Sequence, residues 1–387
     1  MIRLLLFVTR FPPEYVGTAQ YTVLLADGLA RYADLDVTVL APAYPGRTWS
    51  DAGLPYRVIR APGLASRLVA ARYPYAVQAL RRTLNELRPD LLWAVNGMAT
   101  RVAGIMAGRL PLPVIGTIHG TDIARRLPGR TPWTWLESLC QRRFYARADR
   151  LLTNSKFTHD LAVGKGLAPD RLQIIRLGVA APSDPEGIRR RARERHPELV
   201  DRPIVLTVGR LVRQKGHRLL LSAMAELLPS RPQALHLVVG DGPEKEALQT
   251  QVRSLGLERQ VLLTGRLPQE TLEEYYALAR VFALTSHEVS SYVEGMGFVF
   301  LEAAAWGLPA VATQHGGIPE AVADGESGFL VPAEVAPIVA RLGLLLDDES
   351  LCRRISERAA ERVRGELSLE RMIREANQVV RASLAGR

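Results

Sequence analysis

Two cations and two carboxylates in the second half of the chain carry the clearest chemical signal. Arg210 and Lys215 sit in "VGRLVRQKGH", directly after an apolar strand that ends at Gly209. The loop feeds a helix that starts near Lys215–Gly216, so both cations stand beside the free N–H groups of a helix start. Arg grips a phosphate through two donors, and Lys brings a compact, mobile charge. A diphosphate suits this arrangement; a pair of solvated loop cations is the plainer reading. The loop is not a Walker A sequence, because GxxxxGK followed by Ser or Thr is absent. Further on, "EGMGFVFLEAAAWG" sets Glu294 just before Gly295 and Gly297, and Glu302 in the first turns of the next helix. The glycines let backbone lie against a ligand with no Cβ in the way. A carboxylate accepts two hydrogen bonds at once, which fits the vicinal hydroxyls of a ribose at Glu302. Complementing the helix dipole is the alternative there. Glu294 could hold sugar hydroxyls or steady developing positive charge. The two carboxylates also look like a glycosidase pair.

Weaker signals point the same way. "GDGP" after a strand reads as a routine turn into a helix, and "QHGGIPEAV" offers backbone N–H groups that suit a phosphate. In the first half, Gly17 and Thr18 lie between the first strand and the first helix, with Thr18 expected to cap it. His119, Gly120 and Asp122 follow another strand, a better place for a functional histidine than most. The segment 131–150, "TPWTWLESLCQRRFYARADR", mixes tryptophans with arginines. A helix packed on its sheet with arginines outside is the simpler reading; an interfacial helix is the other.

These residues need a scaffold, and the chain supplies one by alternation. Short apolar strands are expected over 2–8, 36–41, 56–61, 90–95, 113–119 and 150–155, with amphipathic helices between them. A looser stretch, 181–202, reads as a linker, and the pattern restarts with strands over 203–209, 234–240, 260–265, 280–286 and 309–314. The expectation is α/β: a first domain over 1–180, a second over 203–367, and a last helix over 368–387 that could pack back on either domain, the first included. Parallel strands with right-handed crossovers leave ligands to the carboxyl ends of the strands. Two such domains facing each other would make a cleft.

Composition sets the limits. The 387 residues are 47% hydrophobic and 23% charged, ordinary for a folded protein. No apolar run is long enough for a membrane span, and "MIRLLLFV" reads as a first strand rather than a leader. Cys140 and Cys352 are far apart and lack metal-ligand spacing, so a reducing cytoplasm is the expected setting. The +10 net charge is uneven: residues 1–180 hold 24 Lys and Arg against 12 Asp and Glu, the remainder 26 against 28. Phosphorylated ligands or an anionic lipid surface would match this excess. Nucleic acid is disfavoured, since no recognition motif accompanies the charge.

Taken together, "GR…KG", "GDGP", "EGMGFVFLE", "GGIPEAV" and the N-terminal glycine loop resemble glycosyltransferase family 4, retaining enzymes of GT-B fold. Met296 stands where the family pattern usually has an aromatic residue, and the paired glycine of the N-terminal loop appears only as Val16–Gly17. The stretch around Glu294 also looks like the lipid mannosyltransferase branch. The resemblance implies two Rossmann-like parallel-sheet domains facing a deep interdomain cleft. It implies a nucleoside-diphosphate sugar, GDP-mannose or a UDP-hexose, as donor, and a sugar, glycan or lipid-linked acceptor. Arg210 and Lys215 would hold the diphosphate and Glu302 the ribose. Glu294, with the backbone of Gly295, Met296, Gly297 and Phe298, would hold the donor sugar. His119 would contact that sugar near the reacting centre, Gly17 would lie close to the phosphates, and Asp122 is the acceptor-side candidate. No metal or other cofactor is implied. Attack on the face the diphosphate leaves is the mechanism the family suggests, with peripheral contact to the inner face of the membrane as an extension. A sugar-nucleotide hydrolase or a non-catalytic sugar-nucleotide or anionic-lipid binding protein is the alternative.

Overall fold

The computed structural model describes residues 1–14, 16–46, 49–66, 69–124, 132–289 and 292–385. It divides into two units, Met1–Leu177 with Leu369–Arg387, and Gly178–Ser368.

The first unit opens with β1 (Ile2–Phe7), α1 (Gly17–Leu29), β2 (Leu35–Pro42), β3 (Arg57–Ala61) and α2 (Val69–Leu87). It continues through β4 (Leu91–Ala94), α3 (Gly97–Ile105), β5 (Val114–Ile118), α4 (Thr121–Ala124) and α5 (Pro132–Arg147). β6 (Arg150–Thr153), α6 (Lys156–Gly164) and β7 (Leu172–Ile174) complete its sheet, in the order β3-β2-β1-β4-β5-β6-β7. Every pairing is parallel, for example Leu4 with Val37 on one side and Leu91 on the other. Helices cover both faces of such a sheet, which is why Leu4–Phe7 and Leu91–Ala94 are apolar without alternation and fully buried. Trp93, the largest side chain in this core, is buried because Thr117 Oγ1 takes its indole N–H at 2.8 Å.

The second unit starts with α7 (Pro185–Arg195), so the stretch read as a linker is largely helical. Its sequence signals are local. Asp184 caps the helix through Gly187 N at 3.0 Å, Pro185 occupies the first turn, and Arg193 and Arg195 sit in the last. The buried Glu274 anchors it, taking Arg195 at 2.8 Å and His196 at 3.1 Å. Next come β8 (Ile204–Val208), α8 (His217–Leu227), β9 (Leu235–Val239), α9 (Lys245–Ser254), β10 (Val261–Gly265) and α10 (Gln269–Leu278). β11 (Val281–Leu284), α11 (Phe298–Ala305), β12 (Ala310–Thr313), α12 (Ile318–Ala321) and β13 (Gly328–Val331) follow, then α13 (Val335–Asp347) and α14 (Glu349–Arg364). The second sheet is also all parallel, ordered β10-β9-β8-β11-β12-β13. α15 (Leu369–Ala385) returns to the first unit and packs on α1, where a Cβ at Gly28 would overlap Ile373.

In each sheet the strand order reverses once, between β1 and β4 and between β8 and β11. Crevices at the carboxyl ends of strands open at such reversals. The loops after these four strands are therefore where ligand chemistry is expected.

Two histidines lock the start of the second sheet. Thr207 Oγ1 donates to Ala283 O at 2.7 Å, so it accepts from His236 Nε2 at 2.9 Å. His217 Nε2 donates to Arg210 O at 2.9 Å. Burial pushes His217 down to about 4 and, joined by the charge of His217, His236 down to about 3. The unfolded chain takes up protons on these rings near pH 6.5 while the folded protein does not, so stability is full at neutral pH and falls as pH drops from about 6.5 towards 4. Each ring should cost on the order of a few kcal/mol at pH 4. His236→Gln keeps a donor for Thr207 and should make the acid limb of urea unfolding shallower; an unchanged limb would assign it to other groups.

Candidate functional site

The site in the second unit is assembled by three loops that follow β8, β11 and β12. After β8 the chain runs through Gly209 and Arg210 into a short 3-10 turn, Arg213–Lys215. Gly216 then takes a left-handed conformation, φ 71°, and caps α8. A side chain there would be strained and its Cβ would overlap Thr285 O, so the position calls for glycine. Thr285 Oγ1 donates to Gly216 O at 2.8 Å, and His287 N donates to Gln214 O at 3.0 Å. The loops after β8 and β11 are thus stitched together across the switch point.

The result is an ion pair. Lys215 Nζ lies 2.5 Å from Glu294 Oε2, and Tyr292 Oη donates to the same oxygen at 2.8 Å. The ammonium stands 6.0 Å from the Tyr292 ring centroid, and that ring stacks on His315 at 6.5 Å. Glu294 O accepts from Gly317 N at 2.9 Å, and a Cβ at Gly316 would overlap that same carbonyl. Lys215 and Glu294 are 16% and 12% exposed. Burial alone would lower the ammonium's pKa, but Glu294 overrides it and holds Lys215 above its usual value. Burial would likewise raise the carboxyl, but Lys215 and Tyr292 hold it below its usual range. Glu294 is therefore an anion at neutral pH and not a proton donor, so of the two roles in a glycosidase pair the general acid is not open to it. Its other oxygen, Oε1, takes no hydrogen bond from the described residues.

Other expected residues fall around this centre. Arg210 is exposed, and among the described residues its guanidinium has no ion pair. Glu302 is the fifth residue of α11, past the first turn, so the helix-dipole explanation does not hold. Tyr276 Oη donates to its Oε2 at 3.1 Å. Burial, reinforced by the Glu302 charge, raises the Tyr276 hydroxyl well above its usual pKa and keeps it a donor. Gly295, Met296 and Gly297 are buried, as is Phe298, with Met296 fully so. The Met296 side chain is thus core, and only its backbone can meet a ligand.

In the first unit, His119 follows β5. Its Nε2 lies 2.8 Å from Val95 O, which can only accept, so Nε2 carries the proton and Nδ1 the lone pair. Burial lowers its pKa against the pull of Asp122, leaving it neutral at neutral pH. Tyr21 packs edge-on at 5.1 Å, and Asp122 Oδ2 receives the His119 backbone N–H at 3.4 Å. Gly17 is exposed and is the first residue of α1. Thr18 does not cap that helix: Val16 holds the cap position, without a side-chain bond, and Thr18 already lies inside the first turn. Asn96, which the sequence reading passed over, caps α3 through Ala99 N at 3.1 Å and accepts from Thr9 Oγ1 at 2.8 Å. It ties the ends of β1 and β4 together, and its Nδ2 is buried with no partner among the described residues. The sequence did carry a signal, an Asn-Gly directly after a strand. Tyr292 and His315 were also missed, although both neighbour motifs already singled out.

Comparison with known proteins decides the family. The model "Glycosyltransferase Family 4" matches residues 15–181, and "Glycosyl transferases group 1" matches residues 188–362. The GDP-mannose-dependent alpha-(1-6)-phosphatidylinositol monomannoside mannosyltransferase of Mycolicibacterium smegmatis is 32% identical over 358 residues, 89% of each chain. The chain belongs to glycosyltransferase family 4. Another relative, the D-inositol 3-phosphate glycosyltransferase of Acidothermus cellulolyticus, is 32% identical over 270 residues, 65% of this chain and 59% of that one. Sucrose-phosphate synthase from Thermosynechococcus elongatus superposes with TM-score 0.85 at 22% identity over the whole of both chains. Anabaena HepE, in complex with UDP and glucose, gives 0.77 at 21% identity over 99% of this chain and 100% of that one. These place the two Rossmann-like units in the GT-B fold. As a family 4 member, the enzyme transfers a hexose from a nucleoside-diphosphate sugar to an acceptor. Among its described residues no three His, Cys, Asp or Glu side chains gather as metal ligands, and no helix is long and apolar enough to cross a membrane.

Removing one half of the Lys215–Glu294 pair leaves the other charge uncompensated. Lys215→Met should destabilise the enzyme by about 3 kcal/mol, and Lys215→Met with Glu294→Leu should recover most of it. Urea unfolding of the four proteins of this cycle checks the coupling. Since the Glu294 carboxyl is lowered and the Lys215 ammonium raised, the coupling should hold through neutral pH. It should fade as pH falls through the carboxyl's folded value and as pH rises past the usual lysine range.

Proposed function

We propose that this family 4 enzyme uses GDP-mannose as donor and a lipid-linked, inositol-containing phosphate as acceptor, working at an anionic membrane surface. The observation that carries the donor part is the charged cluster of Lys215, Glu294 and Tyr292 at the switch point of the second unit, in a chain 32% identical to a GDP-mannose-dependent enzyme. The names of both relatives contain inositol, and one contains phosphatidylinositol, which supports the acceptor part. The basic first half, 24 cations against 12 anions in residues 1–180, supports the surface.

In this reading Arg210 and Lys215 hold the diphosphate and stabilise its charge as it leaves. Oε1 of Glu294 accepts sugar hydroxyls, and the backbone of Gly295, Met296, Gly297 and Phe298 lies along the sugar. Glu302, steadied by Tyr276, takes the ribose hydroxyls. His119, with its bare Nδ1, serves the transferred sugar. Asp122 serves the acceptor, and Gly17 lies close to the phosphates. The bond from the anomeric carbon to the diphosphate oxygen breaks, and the bond to the acceptor oxygen forms on the same face. The acceptor's proton passes to the departing diphosphate, so configuration is retained.

Calorimetry with GDP-mannose, UDP-glucose and ADP-glucose tests the donor assignment. GDP-mannose should bind tightest, and Glu302→Ala should weaken it about tenfold to a hundredfold with an unchanged melting temperature. Preference for UDP-glucose would overturn the base assignment. An unaltered affinity in the variant would remove Glu302 from the ribose site, and sugar release without an acceptor would favour the hydrolase reading.

A further inference from the structure

A helix that packs on a sheet normally buries an apolar face and turns a polar one to solvent. α5 does not. Its inner face carries the buried Cys140, Gln141 and Phe144, pressed so closely on α3 that a Cβ at Gly104 would overlap Cys140 O. Its outer face is also apolar. Trp135 is 62% exposed, Leu136 44% and Leu139 36%. With Arg142, Arg143 and Ala146, these side chains fall at i, i+1, i+4, i+7, i+8 and i+11, one exposed stripe about 16 Å long at 1.5 Å per residue. Trp133 stands two residues before Trp135, off the stripe, 37% exposed and with its ring edge-on to Tyr73. Elsewhere among the described residues, exposed large apolar side chains are scattered over other elements; four stand on this one helix.

The charge on the stripe has one sign. The only acid of α5, Glu137, faces inward, where Tyr73 Oη donates to it at 2.5 Å and Arg101 lies 3.7 Å away. Arg147 also turns inward, donating to Leu110 O and Leu112 O at 2.9 and 2.7 Å. Arg142 and Arg143 stay outside and, among the described residues, form no ion pair. The stripe is thus tryptophan and leucine at one end and unopposed arginine at the other. Indole and aliphatic side chains seat at the boundary of headgroups and acyl chains, while arginines reach anionic headgroups. A protein partner would also cover apolar surface, but the absence of any acid on the stripe and the cationic excess of residues 1–180 favour an anionic lipid.

We infer that the outer face of α5 is the element by which this enzyme docks on an anionic membrane, with Trp135, Leu136 and Leu139 entering the interface and Arg142 and Arg143 pairing with lipid phosphate. The inference deepens the lipid-acceptor reading and rests on it for the identity of the surface. α5 need not leave its place for this, because its inner face remains packed.

Flotation of the full-length protein with phosphatidylcholine vesicles, with and without phosphatidylglycerol, tests it. No donor or acceptor is present, so the outcome is independent of the donor assignment. The protein should float with the anionic vesicles, and less so at high salt. Trp135→Ser with Leu136→Ser and Leu139→Ser should lower binding by about tenfold or more, while circular dichroism shows the fold intact. Arg142→Gln with Arg143→Gln should weaken binding to the anionic vesicles about thirtyfold and leave the neutral ones unaffected. Leu255→Ser, an exposed apolar change in the other unit, should alter nothing. The inference is overturned if the unaltered protein does not float, if the triple variant floats as well as it does, or if Leu255→Ser matches the triple variant. It is also overturned if the stripe proves to mediate a concentration-dependent dimer of this chain that the triple variant abolishes.

Discussion

The ion pair between Lys215 and Glu294 depends on sheet order more than on sequence distance. The two residues are 79 positions apart, yet each follows one of the two strands that flank the reversal, β8 and β11. Parallel strands with right-handed crossovers send their following loops to the same edge of the sheet. The pair is then held by small steric requirements: a left-handed glycine at 216, a hydroxyl at Thr285, and a glycine at 316 against the Glu294 carbonyl. Each of these would be cheap to lose alone in a loop. Together they keep two mostly buried charges in contact, and a separated buried charge is far more costly than any one loop bond.

Tyr292 shows how little slack remains. It donates to the carboxylate oxygen that Lys215 already holds, and its ring lies beneath the ammonium and beside His315. Oε2 thereby takes two hydrogen bonds, while Oε1 takes none from the described residues. A rigid anion with one such oxygen can orient a hydroxyl with little reorganisation, which is what electrostatic preorganisation requires.

Much of this was legible in the chain because it rests on short-range rules. Apolar runs without alternation gave the central strands, and Gly-rich turns after them marked the loops that matter. What was not legible has physical reasons. β7 is an edge strand of three residues, too short for a periodic pattern, and β13, also at an edge, opens with a glycine. α7 was passed over although Asp184, Pro185 and the terminal arginines signal a helix, because its composition is so polar that the amphipathic pattern rests on Ile188 and Ala192. Glu302 falls in the first turns of its helix as read, but in the second rather than the first, because α11 already starts after Gly297. The partner of Lys215 could not be read at all. Both residues were singled out as site candidates, but only the strand order brings them together.

The two switch points share a plan and differ in charge, and that difference has consequences for chemistry. At β1 and β4 the linking groups are neutral: Thr9 and Asn96 bond to each other, and His119 is kept uncharged by burial with a lone pair on Nδ1. At β8 and β11 the linking groups are an ammonium and a carboxylate, with the exposed Arg210 nearby in the chain. Neutral donors and acceptors discriminate hydroxyl groups by geometry and leave little net field. Fixed charges act over longer range and can absorb the charge of a departing diphosphate. The first switch point thus offers groups that select a hydroxyl by geometry, whereas the second adds fixed charge of the kind a departing diphosphate would meet. The Nδ2 of Asn96, buried with no acceptor among the described residues, adds a neutral donor at the end of β4, and an acceptor that meets it need not carry charge.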